Sequence, residues 1–189
     1  SNLQGSGALD WATTSDQVHY DGVGGEALGY YNVATYGADS EVYMTVATLP
    51  VGDSCALVLR AKDQASVDWD GYIMYVAPDE TPDGWYIYRA DNGALTLLGA
   101  GATTTISAGD KIGFEVIGST LKGYRFNAGT WTEILSRTDA TYGAAGYLGA
   151  YLSGDSAARF DDFSGGTVVT AAAAQPYQPW MQRGPILAQ

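Results

Sequence analysis

Between Lys111 and Asp139 the chain reads KIGFEVIGSTLKGYRFNAGTWTEILSRTD, and this run constrains the fold more than any other feature. Ile112, Phe114 and Val116 fall on one face at a period of two and Glu115 on the other, the spacing of a strand with one side in a core. Gly118-Ser119 and Asn127-Ala128-Gly129 interrupt the alternation with residues that tolerate positive φ, which is the chemistry of tight hairpin turns. The run therefore predicts a three-stranded antiparallel meander over 111–117, 120–127 and 130–138. No ten-residue helical pattern competes with it.

The same signals recur upstream and downstream. Alternation and turn residues predict further strands near 17–20, 27–33, 41–49, 55–62, 71–77, 84–90, 94–99, 145–152 and 157–163, with Asp91-Asn92-Gly93 as another hairpin turn. The 25 glycines, 14 tyrosines and 16% charged residues suit short strands joined by tight turns rather than helices. A dozen short strands exceed what an immunoglobulin sandwich needs, so the expectation is an all-β, two-sheet antiparallel jelly-roll sandwich. At 189 residues one domain can bury its own core, and the lone Cys55, set in the apolar run CALVL, reads as a small buried side chain. The expected organisation is a polar linker over 1–7, the sandwich over 8–169, and an extended arm over 170–189, where three prolines forbid a regular helix or central strand.

Charge narrows the partners. With 21 acidic against 9 basic residues the net charge is −12, which repels nucleic acid and anionic membrane surfaces, and no basic patch interrupts it. No apolar run of about 18 residues predicts membrane insertion, and no charged-then-apolar leader opens the sequence. The sole histidine, His19, lies in the alternating segment QVHY with no G-x-S-x-G elbow elsewhere, so no hydrolytic triad is expected.

Carboxylates and aromatic rings are the remaining chemistry. The segments DQASVDWDGY and APDETPDGW bring Asp63, Asp68 and Asp70, and Asp79, Glu80 and Asp83, into loops, where hard calcium would find oxygen ligands; their spacing fits no calcium-loop consensus. In the hairpin YIMYV…WYIYR, Tyr72, Met74 and Val76 share one face and Ile73 and Tyr75 the other, while Trp85, Ile87 and Arg89 alternate with Tyr86 and Tyr88. Sugars present apolar faces to such rings. Trp69, Trp85 and Trp131 are the candidate glycan platforms, Trp69 for its loop and Trp131 for its place beside the Asn127 turn.

From Glu41 onward the order of features resembles the concanavalin A-like, laminin-G-like jelly rolls of lectins, glycan-binding modules and bacterial and phage surface proteins. Four segments carry the likeness: EVYMTVATLP, LVLRAK followed by GYIMYV, the meander GFEVIGSTLKGYRFNAGTW, and the closing GAAGYLGAYLSGDSAARFDDF. It spans about residues 17–167. The resemblance implies binding of glycans, and often of calcium, through loops at the sandwich edge, although no ligand motif matches residue by residue. Laminarinase-type enzymes of this architecture carry Glu-x-Asp-x-x-Glu on one strand face. None of Glu26, Glu41, Glu80, Glu115 and Glu133 has an acidic residue two positions on, so catalysis is not expected.

The last strand, ARFDDF, sets Arg159, Asp161 and Phe163 on one face and Ala158, Phe160 and Asp162 on the other, so its two carboxylates diverge. Bringing both phenylalanines into a core calls for a bulge or a strand end near Asp162. Arg159 can then pair with Asp161 at the surface, and Asp162 is left to bind backbone amides near the N-terminal strand or a structural calcium. The sequence thus points to a non-catalytic interaction module of an extracellular or virion surface. One expectation is glycan binding without a required cofactor. The alternative is a structural part of a homo-oligomer or larger assembly, such as a capsid decoration or tail component, docked onto neighbouring subunits through Tyr177, Trp180, Met181, Ile186 and Leu187 of the arm; a lesser alternative is a glycosidase or polysaccharide lyase with a carboxylate pair outside the known motifs.

Overall fold

The structure, a computed structural model, describes residues 3–4, 9–11, 17–20, 26–52, 54–62, 69–153 and 157–169, and among these every regular element is a strand. In chain order they are β1 (Leu3–Gln4), β2 (Leu9–Trp11), β3 (Val18–Tyr20), β4 (Glu26–Tyr36), β5 (Ser40–Thr48), β6 (Cys55–Lys62), β7 (Asp70–Ala77) and β8 (Gly84–Asp91). There follow β9 (Ala94–Leu97), β10 (Ala102–Thr103), β11 (Lys111–Ile117), β12 (Thr120–Asn127), β13 (Thr130–Thr138), β14 (Gly146–Ser153) and β15 (Arg159–Thr167). The first sheet runs β1-β4-β14-β6-β7-β8-β10, with β9 also on β8, and the second runs β13-β12-β11-β5-β15-β3-β2. The two-sheet antiparallel sandwich expected from the sequence is the fold. Apart from Leu3–Gln4, the linker over 1–7 and the whole arm over 170–189 lie outside the described residues.

Hairpin chemistry sets the register. Asn92 and Gly93 both take positive φ (50° and 78°) between β8 and β9, and Ala128 and Gly129 do so (49° and 81°) between β12 and β13, matching the twist of the strands they join. β10, with two residues, is too short to show an alternation in sequence.

The core lies between the sheets. Tyr72, Met74, Val76, Trp85 and Ile87 from the first sheet meet Val42, Met44, Ile112, Phe114, Val116 and Phe160 from the second. Each large apolar side chain so buried contributes about 1.5–3 kcal/mol. β6 explains its own continuous apolar run: Cys55, Leu57 and Leu59 face this core, while Ala56, Val58 and Ala61 join Tyr30, Trp69, Ile73 and Tyr151 in a second cluster on the sheet's other side. A strand buried on both faces has no use for alternation. Burial pushes the Cys55 thiol up to about 12, as suits an inert packing side chain.

One buried charge ties the end of the sandwich together. Arg60, 1% exposed, has left-handed backbone (φ 53°) where the pairing of β6 with β7 slips between Leu59 and Lys62. Its guanidinium donates to the carbonyls of Ala38 (2.6 Å), Tyr142 (2.6 Å) and Gly118 (2.8 Å), which belong to three separate connections. Asp39 stands 3.8 Å away, and burial pulls the Arg60 pKa down.

A second buried charge anchors the start of β11. The Asp110 carboxylate accepts from the Ser107 amide (2.8 Å), from Arg125 (2.9 Å) and from the Asn127 side chain. Burial raises its pKa, but the hydrogen bonds of Asn127, Ser107 and Arg125 outweigh this and hold the carboxyl below the usual range. A depressed folded pKa means stability that is fully present above the unfolded value of about 4 and lost as pH falls through the folded one. The melting temperature of wild type should therefore exceed that of Asp110→Asn near neutrality, with the gap closing in acid. A gap that persists unchanged to about pH 2 would rule out this carboxylate as a source of acid sensitivity.

The closing strand bulges between its two phenylalanines. On β15 the pairing with β5 passes from Asp161↔Thr45 to Ser164↔Tyr43, so one extra residue enters β15, and Asp162 takes left-handed φ (51°). Phe160 is fully buried, and Phe163 packs against the same core. Asp161 accepts the amide of Asp162 at 2.7 Å, steadying the bulge.

Candidate functional site

The outward face of the second sheet carries rows of side chains set by strand pairing. In one row Tyr43, Gly113 and Tyr124 are neighbours across β5, β11 and β12. In the next, Thr45, Lys111, Phe126 and Trp131 follow one another. In the row on the other side, Glu41, Glu115 and Lys122 do. Gly113 leaves a gap in the middle of this lattice. The Trp131 indole leans over it, so that a Cβ at Gly113 would stand 2.9 Å from the ring. Trp131 is 44% exposed and packs against Phe126 (centroids 5.2 Å apart) and edge-on to Tyr43 (6.2 Å).

The result is an open groove of about 240 Å³ walled by Tyr43, Tyr124 and Trp131, with Gly113 as its floor and Glu41 and Glu115 at one side. A second depression of about 350 Å³ continues it past Trp131 to Phe126 and Lys111. The first groove is smaller than the roughly 300–1,000 Å³ of enclosed small-molecule pockets, and its openness suits one or two units of a longer chain. Three ring faces and two carboxylates offer stacking surface and hydrogen-bond acceptors together.

No family model matches this chain, and no curated protein does. Solved structures do match. A carbohydrate-binding module, CBM66 from Bacillus subtilis, superposes with a TM-score of 0.61 over 88% of this chain and 98% of its own, at 18% identity. The exoplasmic/lumenal domain of VIP36 in its Ca2+/mannose-bound form gives 0.66 over 90% and 84%, at 15% identity. A legume lectin-like domain from Entamoeba histolytica gives 0.58 over 89% and 90%, at 11% identity. The fold is the concanavalin A-like jelly roll. These matches fix the architecture; the identities are too low to carry a binding site across.

Within this concanavalin A-like sandwich the three candidate tryptophans have different fates. Trp131 stands at the groove. Trp85 does not: it is 0% exposed in the core, with its indole N–H donated to the Thr104 carbonyl at 2.7 Å, because the face it shares with Ile87 is the inner one. Trp69 is likewise corrected from exposed platform to packed side chain, 6% exposed and set edge-on to Tyr30 (6.2 Å) in the cluster behind the first sheet. Neither ring offers a face to a sugar.

The residues present do not fit a calcium ion at Asp162. Its carboxylate meets the Lys111 ammonium at 3.0 Å and the Thr45 hydroxyl at 2.9 Å, and these partners lower its pKa. The expectation of backbone amides near the N-terminal strand is corrected in the same way, since the left-handed turn at Asp162 swings the side chain outward over β5 and β11. Among the described residues no cluster of three or more His, Cys, Asp or Glu is arranged for a metal. Several loop acids have other duties: Asp83 accepts the Ile106 amide (2.7 Å), Asp70 the Asn92 amide (2.8 Å) and Glu80 the Tyr86 hydroxyl (2.7 Å). Asp63 and Asp68, and the arm residues Tyr177, Trp180, Met181, Ile186 and Leu187, lie outside the described residues.

Tyr43, Gly113, Tyr124, Glu41 and Glu115 were not singled out from sequence as ligand residues. They come from three strands, and only the register β5-β11-β12 places them side by side. One signal was available. Phe126 and Trp131 flank the Asn127-Ala128-Gly129 turn symmetrically, so a two-residue hairpin loop makes them cross-strand partners.

Proposed function

We propose that this chain is a non-catalytic carbohydrate-binding module of an extracellular or virion surface, with the Tyr43–Tyr124–Trp131 groove as its ligand site. The observation that carries the reading is the groove itself: a half-exposed indole seated over Gly113 and flanked by two tyrosines, on the open face of a lectin-type sandwich. The names of the matched structures support it, since one is a carbohydrate-binding module and another was solved with mannose in an exoplasmic/lumenal domain. The net charge of −12 favours neutral or cationic ligands over nucleic acid.

Titration calorimetry across a panel of neutral, amino and acidic oligosaccharides tests the proposal. Trp131→Ala is expected to weaken the best ligand by about tenfold or more, the loss of one stacked ring. Gly113→Val should do the same from the other side. The added side chain takes the seat of the indole and pushes on the outer edge of a half-exposed ring that can swing away, so the fold survives while the groove loses its wall. Unchanged affinity in both variants would remove the groove from consideration. Release of new reducing ends from a bound oligosaccharide would make the site catalytic instead.

A further inference from the structure

Strand register sets Glu41 directly opposite Glu115, and Glu115 directly opposite Lys122. Like charges facing each other across paired strands destabilise a sheet, and a nearby cation ordinarily relieves them. Here the neighbouring cations are committed elsewhere. Lys122 holds Glu133 at 2.8 Å, and Lys111 holds Asp162 at 3.0 Å. Among the described residues no ion pair reaches Glu41 or Glu115, while the Tyr124 hydroxyl donates to Glu115 at 3.2 Å. Two carboxylates thus stand side by side with no close ion pair of their own, Lys122 acting on Glu115 only at longer range, on the wall of a groove whose other walls are Tyr43, Tyr124 and Trp131.

We propose that the groove selects a glycan bearing free amino groups, with the sugar ammonium held between Glu41 and Glu115 and the ring against Tyr43 and Trp131. The inference rests on the glycan reading above and names the ligand class within it. An ammonium answers both features at once: it neutralises the facing carboxylates through charge-assisted hydrogen bonds, and aromatic faces attract cations. Neutral sugars offer hydroxyl donors but leave the repulsion in place. Uronic acids add a third negative charge and are repelled.

The test is calorimetry on the full chain at about pH 6, where a sugar amine carries its proton. The probes are a β-1,4-linked glucosamine tetramer, its N-acetylated counterpart, cellotetraose and tetragalacturonate. The glucosamine tetramer is expected to bind about tenfold more tightly than cellotetraose, with tetragalacturonate weakest. Glu41→Gln and Glu115→Gln should each shrink that margin, and together they should abolish it. Asp79→Asn, which removes one exposed charge in the β7–β8 turn, should leave it intact. The glutamine variants keep the shape of the side chain and remove the repulsion, so they should melt no lower than wild type. Equal affinity for the glucosamine tetramer and cellotetraose overturns the proposal, as does a margin that survives the double substitution. Spermidine competing as well as the glucosamine tetramer also overturns it, by reducing the site to a polyamine trap. If no oligosaccharide binds at all, the glycan reading falls with it.

Discussion

Arg60→Met is expected to cost about 3 kcal/mol, measured as a shift in urea midpoint, because the substitution takes the shared donor from three partly buried carbonyls. Each of the Ala38, Tyr142 and Gly118 carbonyls receives one guanidinium N–H. The penalties for leaving the acceptors unpaired, up to about 1–3 kcal/mol each where water cannot reach and less at exposed Gly118, together exceed what the methionine recovers by avoiding charge burial. Arg60→Lys should rescue little, since one compact ammonium cannot span three acceptors on three connections. The 3.8 Å contact with half-exposed Asp39 adds only a minor share. A loss of under about 1 kcal/mol in the methionine variant would mean that water satisfies those carbonyls readily.

The second large effect separates two tryptophans. Trp85→Ala should cost about 3–5 kcal/mol, through a large cavity at a site with no exposure and through the unpaired Thr104 carbonyl. Trp131→Ala removes one half-exposed ring and its edge contacts, so its stability cost should stay near about 1 kcal/mol while ligand affinity falls. Chemical denaturation of both variants beside binding titrations checks the contrast. Equal destabilisation would contradict the assignment of one ring to the core and the other to the groove.

These two residues also show what the sequence could and could not disclose. Alternation in YIMYV and WYIYR divides the side chains correctly between two faces, and the meander from Lys111 is legible to its strand ends because its turns carry their own chemistry. Which face is the inner one is a different matter. The first sheet is apolar on both sides, so Trp85 and Tyr88 look alike until the second sheet is laid against one of them. The site was legible in Trp131 alone. Glu41 and Glu115 lie 74 positions apart, and nothing in either neighbourhood announces that strand pairing sets them face to face. The two phenylalanines left a bulge or a strand end near Asp162 as the alternatives in sequence, and the structure has the bulge; the choice of Lys111 as its partner depends on β5 separating β15 from β11 by one strand.

That interleaving has a consequence for how the molecule is made. β14 sits between β4 and β6, and β15 between β5 and β3, so the last two strands among the described residues are interior members of their sheets. During vectorial synthesis both sheets wait as separated halves, each with a bare edge, until β14 and β15 leave the ribosome. Antiparallel pairing over such sequence separations is slow, and a half-built sheet with open edges is the state most prone to join a neighbouring chain. β14 and β15 thus act as keystones, and a nascent chain that stalls before Gly146 leaves each sheet in two unjoined parts.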